Sequence, residues 1–497
     1  MTDELLSRKK TIVNFCLKNN ILISLETLEA LNSKNLEELT DTVHTTASHM
    51  LFSQKLNQIL EAKEGELVRV VPLGIRQPRM DGVKVVFTYQ ENPKKREVQD
   101  FVTFFKNRYF SLEKILRQRQ ELSGVLSVSR VLTKRDREHV AVIGIVTDKT
   151  ITKNKHMILK IEDPTGEIKI LINNKYIELF ALGNDIVLDE VIGIIGIYSD
   201  KWIMANNILF PDIPRNKELK KSPESGSALF ISDLHIGSKD FLEDQFVKML
   251  KWIGGDVGSE SQREISSNIK YIFVGGDLVD GIGIYQNQEE TLTIKDIFKQ
   301  YERCADFFSM IPEHIPIIMC PGNHDALRIT EPQPALYKDF SKPMWDLKNI
   351  YLVSNPNVVN IGASDTFPGF DVLTYHGYSF DYYAANVNSI RQNGAYDRAD
   401  LIMRFLLQRR HLAPTHTSTQ YLPDTRKDPL IIEQVPDFFL TGHVHRSSVS
   451  MYRNITMVNG SCWQGTTAFQ EKMGHNVEPC RVFAMDLVSR AVKILRF

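Results

Sequence analysis

Cysteine is scarce in this chain. Five residues, Cys16, Cys304, Cys320, Cys462 and Cys480, are scattered through 497 positions, with no C-x-x-C pair. An odd, dispersed set argues against a disulfide framework and a zinc ribbon, and favours a reducing interior. Long apolar runs are lacking too. The best, Val191 to Tyr198, is the length of a strand, so no membrane span is expected. The opening Met1-Thr2-Asp3-Glu4-Leu5-Leu6 carries acid where a secretory signal needs positive charge. The expectation is a soluble, cytoplasmic protein with no membrane partner. Neither charge is in excess, with 60 Lys plus Arg against 61 Asp plus Glu. That removes the simplest mark of a nucleic-acid binder, a strongly basic chain. What remains is ordinary globular composition, 42% hydrophobic and 24% charged. At about 100–200 residues per domain, the length predicts two to four domains.

Texture along the chain divides it into four stretches. Residues 1–45 read as a small helical unit, with Ile12, Val13, Phe15 and Cys16 on one face and Leu25, Leu28 and Leu31 at helical spacing. Residues 46–100 read as a linker region, with a candidate strand at Val83 to Tyr89. Residues 101–213 open with one amphipathic helix over Phe101 to Leu122. Strands then follow at 125–131, 140–147, 156–162, 168–172, 191–198 and 202–208, which is the spacing of an OB-type β-barrel. Few aromatics alternate with basic residues there, so protein docking is favoured over strand binding. A polar stretch over 211–227 leads into residues 222–497, where apolar runs ending in Gly, Asp, Asn or His alternate with helical segments. That is the texture of an α/β layered domain.

Five of those run ends carry chemistry. They are Ser232-Asp233-Leu234-His235, Gly276-Asp277-Leu278-Val279-Asp280, Gly322-Asn323-His324-Asp325, Tyr375-His376-Gly377 and Gly442-His443-Val444-His445. Residues i and i+2 of an extended segment point the same way, so Asp233 and His235 can face one metal together. Ligand sites in α/β sheets lie at the carboxyl ends of strands, where all five clusters fall. Mixed His, carboxylate and amide-oxygen donors suit divalent manganese, zinc or iron. Any one cluster alone is better read as a turn or a structural histidine. All five in this order are not.

The pattern D-x-H, G-D-x-x-D, G-N-H-D, H, G-H-x-H resembles the calcineurin-like metallophosphoesterase superfamily over residues 228–465. Within it the chain looks like the small subunits of archaeal family D DNA polymerases. The phosphoesterase domain behind an OB-like barrel, the helix from Phe101 to Phe110 and the Tyr375-His376-Gly377-Tyr378-Ser379-Phe380-Asp381 segment carry that likeness. The resemblance implies two divalent metal ions, with manganese the first choice. Asp233, His235 and His445 would hold the first and Asn323, His376 and His443 the second, with Asp277 bridging. It implies that His324 is a non-ligand catalytic histidine beside the scissile phosphate and that Asp280 is its acidic partner. It also implies a metal-dependent 3′→5′ exonuclease acting on single-stranded or mismatched DNA 3′ ends, in a DNA-replication complex with a large catalytic polymerase subunit. Two rival readings stay open: a phosphomonoesterase or small phosphodiesterase of the same superfamily, and a non-catalytic scaffold subunit.

Other conspicuous residues carry less. Asp325 is expected to shape its turn, Arg446 to contact a phosphate or form a salt bridge, and His411 and His416 are minor candidates for the cleft. Cys320 has no base arranged for it. The balanced charge is compatible with a DNA-processing enzyme, because two ions would outweigh the two carboxylates locally. It predicts weak, salt-sensitive DNA binding by the isolated chain.

Overall fold

The computed structural model describes residues 80–497 except Asp81, Asn92, Pro93 and His475, together with Lys9, Thr11, Ile12 and Leu39. The chain divides into two compact units, Met1–Arg76 and Gln77–Phe497. Apart from those four residues, the helical unit expected over 1–45 lies outside the described residues, as do residues 46–79 of the expected linker. Every element named below belongs to the second unit. No helix among the described residues is long and apolar enough to cross a membrane.

Strand β1 (Val83–Thr88) falls on the candidate strand at Val83 to Tyr89. It pairs antiparallel with a strand far along the chain, Val83 opposite Ile361 and Thr88 opposite Asn357. A strand donated from so far away leaves no local sign of its partner. The next helix, Val98–Leu116, is shorter than expected, and a separate turn follows at Gln120–Leu122. Its apolar stripe serves two cores. Phe104 packs with Tyr375, Phe380 and Tyr421, whereas Tyr109, Leu112 and Leu116 pack against Ile143, Ile145, Val191 and Leu209 of the barrel.

The barrel comprises β2 (His139–Ile151), β3 (Met157–Asp163), β4 (Gly166–Ile172), β5 (Val191–Ser199) and β6 (Trp202–Leu209), closed in the order β2-β3-β4-β6-β5. Alternation fills it, with Leu159, Ile161, Ile168, Ile170, Ile172, Ile192 and Ile194 pointing into one core. One expected strand is not there. Of residues 125–131, only Leu126 makes a β-bridge, to Val142, and Val128–Val131 is a helical turn. The Asp163-Pro164-Thr165-Gly166 turn explains it. Asp163 Oδ2 accepts from the Val128 N–H at 2.9 Å and Thr165 Oγ1 from that of Ser129 at 3.1 Å. Capping of these orphan donors outweighs the β-preference of the valines.

The polar stretch 211–227 is seated rather than free. Ile213 is buried, and Lys217 and Lys220 both pair with the buried Asp437, at 2.7 and 2.8 Å. Beyond it lie β7 (Ser227–Ile231), β8 (Ile269–Gly275), β9 (Ile317–Cys320), β10 (Ile350–Leu352), β11 (Asn357–Ile361), β12 (Phe370–Thr374), β13 (Phe438–Thr441), β14 (Ser448–Tyr452), β15 (Ile455–Asn459), β16 (Arg481–Asp486) and β17 (Val492–Arg496). They form two six-stranded sheets, β1-β11-β12-β13-β15-β14 and β10-β9-β8-β7-β16-β17. The sheets face each other. Phe230 and Phe273 of one meet Phe370, Val372 and Phe438 of the other. Leu229, Ile231, Ile272 and Val274 point the opposite way, against helices Glu243–Ile253 and Ile297–Phe308. Helix Ala399–Arg409 covers the outer face of the other sheet, against Leu373, Phe439, Ile455 and Met457 of β12, β13 and β15. The result is a helix–sheet–sheet–helix sandwich whose central strands are buried on both faces, hence their continuous apolar runs. Strands β7 to β10 run parallel, as do β12, β13 and β15, so their carboxyl ends gather the five clusters at one edge.

Candidate metal centre

The residues that point into this edge share an unusual backbone. Asp233, His235, Asp277, His443 and His445 all have positive φ, between 49° and 72°. That region is costly for side-chain-bearing residues and concentrates at functional sites. Asp233 and His235 therefore converge through left-handed turns, not through the pleat of an extended strand. Close approach is enforced by glycine. A Cβ on Gly322 would sit 2.2 Å from Asp277 Oδ1, and one on Gly276 would sit 2.5 Å from His376 Nδ1.

Three sets of ligand atoms each lie within 4.8 Å of one another: Asp233, His235 and His445; Asp233, Asp277 and His376; and His235, Asp277 and His324. Hydrogen-bond logic shows what they await. His376 Nδ1 lies 2.8 Å from the Gly275 carbonyl, which can only accept, so Nδ1 carries a proton. Its Nε2 then faces two further acceptors, Asn323 Oδ1 at 3.0 Å and Asp277 Oδ2 at 3.3 Å. Likewise His235 Nδ1 donates to Asp280 Oδ1 at 3.1 Å, and its Nε2 faces His445 Nε2 at 3.1 Å and Asp277 Oδ2 at 3.7 Å. His445 Nε2 is 3.5 Å from Asp233 Oδ1. The acceptors around His376 call for a cation or a proton between them. His445 differs, since Gln470 Oε1 accepts from the Thr467 N–H and its Nε2 donates to His445 Nδ1, which leaves the ring proton on Nε2 beside His235 and Asp233. Burial opposes a second proton on His376, but Asp277 and Asp233 raise its pKa to about 10. Burial likewise opposes ionisation of Asp277, and the surrounding histidines still hold it well below the usual carboxylate range. The donor set therefore fits divalent metal ions.

His443 stands one step out. Its backbone N–H donates to both oxygens of Asp233, at 3.0 and 3.1 Å, and its ring centroid is 5.3 Å from that of His376. Its Nε2 lies 3.2 Å from Asp381 Oδ2, and it belongs to none of the three sets.

His324 and Asp280 are neighbours, but not in the expected way. The Asp280 carboxylate is oriented toward His235 by Gln288 Nε2 at 3.0 Å and Gln464 Nε2 at 3.4 Å. It lies 3.9 Å from His324 Nδ1, whose closer partner is the Asp280 backbone carbonyl at 2.8 Å. Asp280 thus braces a candidate metal ligand with its side chain and His324 with its main chain. His324 keeps Nε2 for the cleft, and burial lowers its affinity for a second proton despite Asp277.

The lesser candidates are placed elsewhere. Asp325 is buried and accepts from the N–H groups of Gly322 and Leu278 and from the Tyr301 hydroxyl, so it shapes the turn. Arg446 donates to the Asn476 carbonyl and lies near Asp397 and Glu478, a structural role. His411 is buried against Asp428 at 2.9 Å, His416 stacks on Tyr421, and Cys320 is a buried thiol whose ionisation burial suppresses. Sequence reasoning missed Gln288, Gln464 and Gln470, the last with Nε2 at 2.8 Å from His445 Nδ1. No motif marks these glutamines. Asp381 did have a signal, its place in the Tyr375–Asp381 segment.

Fold and site together define a calcineurin-like phosphoesterase domain, and the model of the calcineurin-like phosphoesterase family matches residues 227–447. The chain is 40% identical over 401 residues to the DNA polymerase II small subunit of Methanothermobacter thermautotrophicus, covering 81% of this chain and 80% of that one. It is 37% identical over 385 residues to the namesake from Archaeoglobus fulgidus, covering 78% and 74%. It is 36% identical over 406 residues to that of Pyrococcus furiosus, where it spans 64% of the longer relative. The chain belongs to the family of DNA polymerase II small subunits.

Proposed function

We propose that the chain is a two-metal 3′→5′ DNA exonuclease, the proofreading small subunit of a polymerase whose synthetic activity resides in a large partner subunit. The observation that carries this reading is the convergence of Asp233, His235 and His445 beside Asp277 and His376 around shared carboxylates. Asp233, His235 and His445 would hold one ion and Asn323, His376 and His443 the other, with Asp277 between them, and manganese suits the donors. When bound, two such ions supply Lewis-acid polarisation of a phosphodiester and a nucleophile at neutral pH. The side chains do the rest. Asp280 fixes the tautomer of His235, the Gly275 carbonyl fixes that of His376, and both rings keep Nε2 turned inward. His324, anchored through Nδ1, presents Nε2 to the cleft, where it would donate to a phosphate oxygen or to the leaving oxygen only in the doubly protonated form, which burial opposes and Asp277 favours. DNA, the 3′→5′ direction and the large partner rest on the family, whose named members are polymerase subunits.

The test is hydrolysis of 5′-labelled single-stranded DNA with manganese, run beside a chromogenic phosphomonoester. A ladder shortening from the 3′ end, with little monoester cleavage, is expected. Preferred monoester cleavage would point to a small-molecule phosphatase, and inactivity on both substrates to a scaffold subunit.

A further inference from the structure

Two buried amides outside the motif set join the halves of the second proposed metal site. Gln333 and Asn355 lie on separate loops, are 2% and 0% exposed, and pair through their backbones, Gln333 N to Asn355 O at 2.8 Å and the reverse at 3.0 Å. Their side chains form a chain with one consistent direction. Gln333 Nε2 lies 3.1 Å from the carbonyls of both Gly322 and Arg328, which can only accept, so that end must be the amide nitrogen. Gln333 Oε1 therefore accepts, from Asn355 Nδ2 at 2.8 Å. Asn355 Oδ1 is then left to accept from the His376 backbone N–H at 2.9 Å. Gly322 immediately precedes Asn323, whose Oδ1 lies 3.0 Å from His376 Nε2. Three hydrogen bonds thus tie Gly322 to the His376 N–H through groups that touch neither ligand's side chain, and a fourth anchors Gln333 to Arg328. A fully satisfied buried network of this kind specifies one arrangement.

The first site is held differently, by Asp280, Gln288 and Gln464 behind His235 and by Gln470 behind His445. We propose that Gln333 and Asn355 are positioning residues for the second metal ion alone. They would set the separation of Asn323 and His376, so that one ion of the pair can be lost while the other is kept. This rests on the two-metal reading above.

The experiment counts manganese bound to the full chain by calorimetry and by the free-ion electron paramagnetic resonance signal, for wild type, Gln333→Met and Asn355→Leu. These apolar replacements roughly preserve volume and remove the relay. Wild type should bind two ions. Each variant should bind one with unchanged affinity and the other at least tenfold more weakly, since outer partners of metal ligands typically contribute 10–100-fold. Gln333→Glu, which still accepts from Asn355 but cannot donate to Gly322, should show the same one-site loss and decides the matter where the apolar variants do not fold. Two tight ions in the variants, or equal weakening of both, would overturn the relay while leaving the metal centre standing. A wild type that binds no ion would overturn both.

Discussion

Acidification should loosen the junction between the barrel and the phosphoesterase domain through one residue, His411. Its Nε2 donates to Asp428 at 2.9 Å, and its Nδ1 accepts the Ala413 N–H at 3.0 Å. A second proton would have to displace that N–H, inside a buried site beside Arg108, whose Nε lies 2.7 Å from the same Asp428 oxygen. Burial first, and Arg108 next, lower the His411 pKa from 6.5 to about 4. The sign follows. Below pH 6.5 the unfolded chain takes a proton that the folded chain refuses, so stability falls as pH falls, until the folded form also titrates near 4. From pH 7 to pH 5 the loss is about 2 kcal/mol, and it approaches about 3 kcal/mol below pH 4. Asp428, held low mainly by Arg108 against its burial, loses its own contribution only at more acidic pH. The raised histidines of the metal centre act in the opposite sense but equally in wild type and mutant. The measurement is therefore the urea midpoint of wild type against His411→Gln at pH 7 and pH 5. The stability advantage of wild type should shrink by about 2 kcal/mol between the two pH values. A difference independent of pH would refute the reasoning.

Other outcomes follow from the same contacts. Arg108→Met leaves Asp428 charged and buried, and should cost about 3–5 kcal/mol in urea unfolding at pH 7. Neutral stability there would mean that Asp428 simply protonates. His324→Ala should lower DNA hydrolysis by about 10²–10⁴-fold with manganese stoichiometry intact, since its ring packs edge-on against His235 but its closest hydrogen-bond partner is the Asp280 backbone carbonyl. Loss of an ion in that variant would make it a ligand. Asp280→Asn should weaken manganese binding by about 10–100-fold, measured by calorimetry, because its carboxylate fixes His235. A variant that loses turnover alone would restore Asp280 to the role of acid partner of His324.

Much of this architecture was legible because the strands advertise themselves. Runs such as Leu229-Phe230-Ile231 and Ile272-Phe273-Val274 are apolar on both faces, and each ends in its chemical cluster. The barrel was readable from the alternation in Ile168, Ile170 and Ile172. What stayed hidden depends on partners distant in sequence. Val83–Thr88 shows no sign of Ile361, the valines of 125–131 show none of Asp163, and the polar stretch 211–227 shows none of Asp437. In the metal centre the motif residues announced themselves by type and spacing. Their backbone did not, since an aspartate or histidine in a left-handed turn reads the same as one in a strand. The bracing glutamines were invisible for a simpler reason: glutamine on a loop is common, and only the fold shows which ones face a ligand. The same blindness pairs Asp280 with His324 in the sequence. Sequence gives proximity, but Gln288 and Gln464 set the direction of the carboxylate.

The most direct measurement compares wild type with Asp277→Ala on 5′-labelled single-stranded DNA in manganese, at equal protein and matched folding by circular dichroism. Asp277 is the carboxylate within reach of His235, His376 and the His324 backbone N–H. Wild type should shorten the strand stepwise from its 3′ end, and the variant should leave it intact. A variant that still degrades the strand at the wild-type rate would contradict a two-metal centre built on this residue.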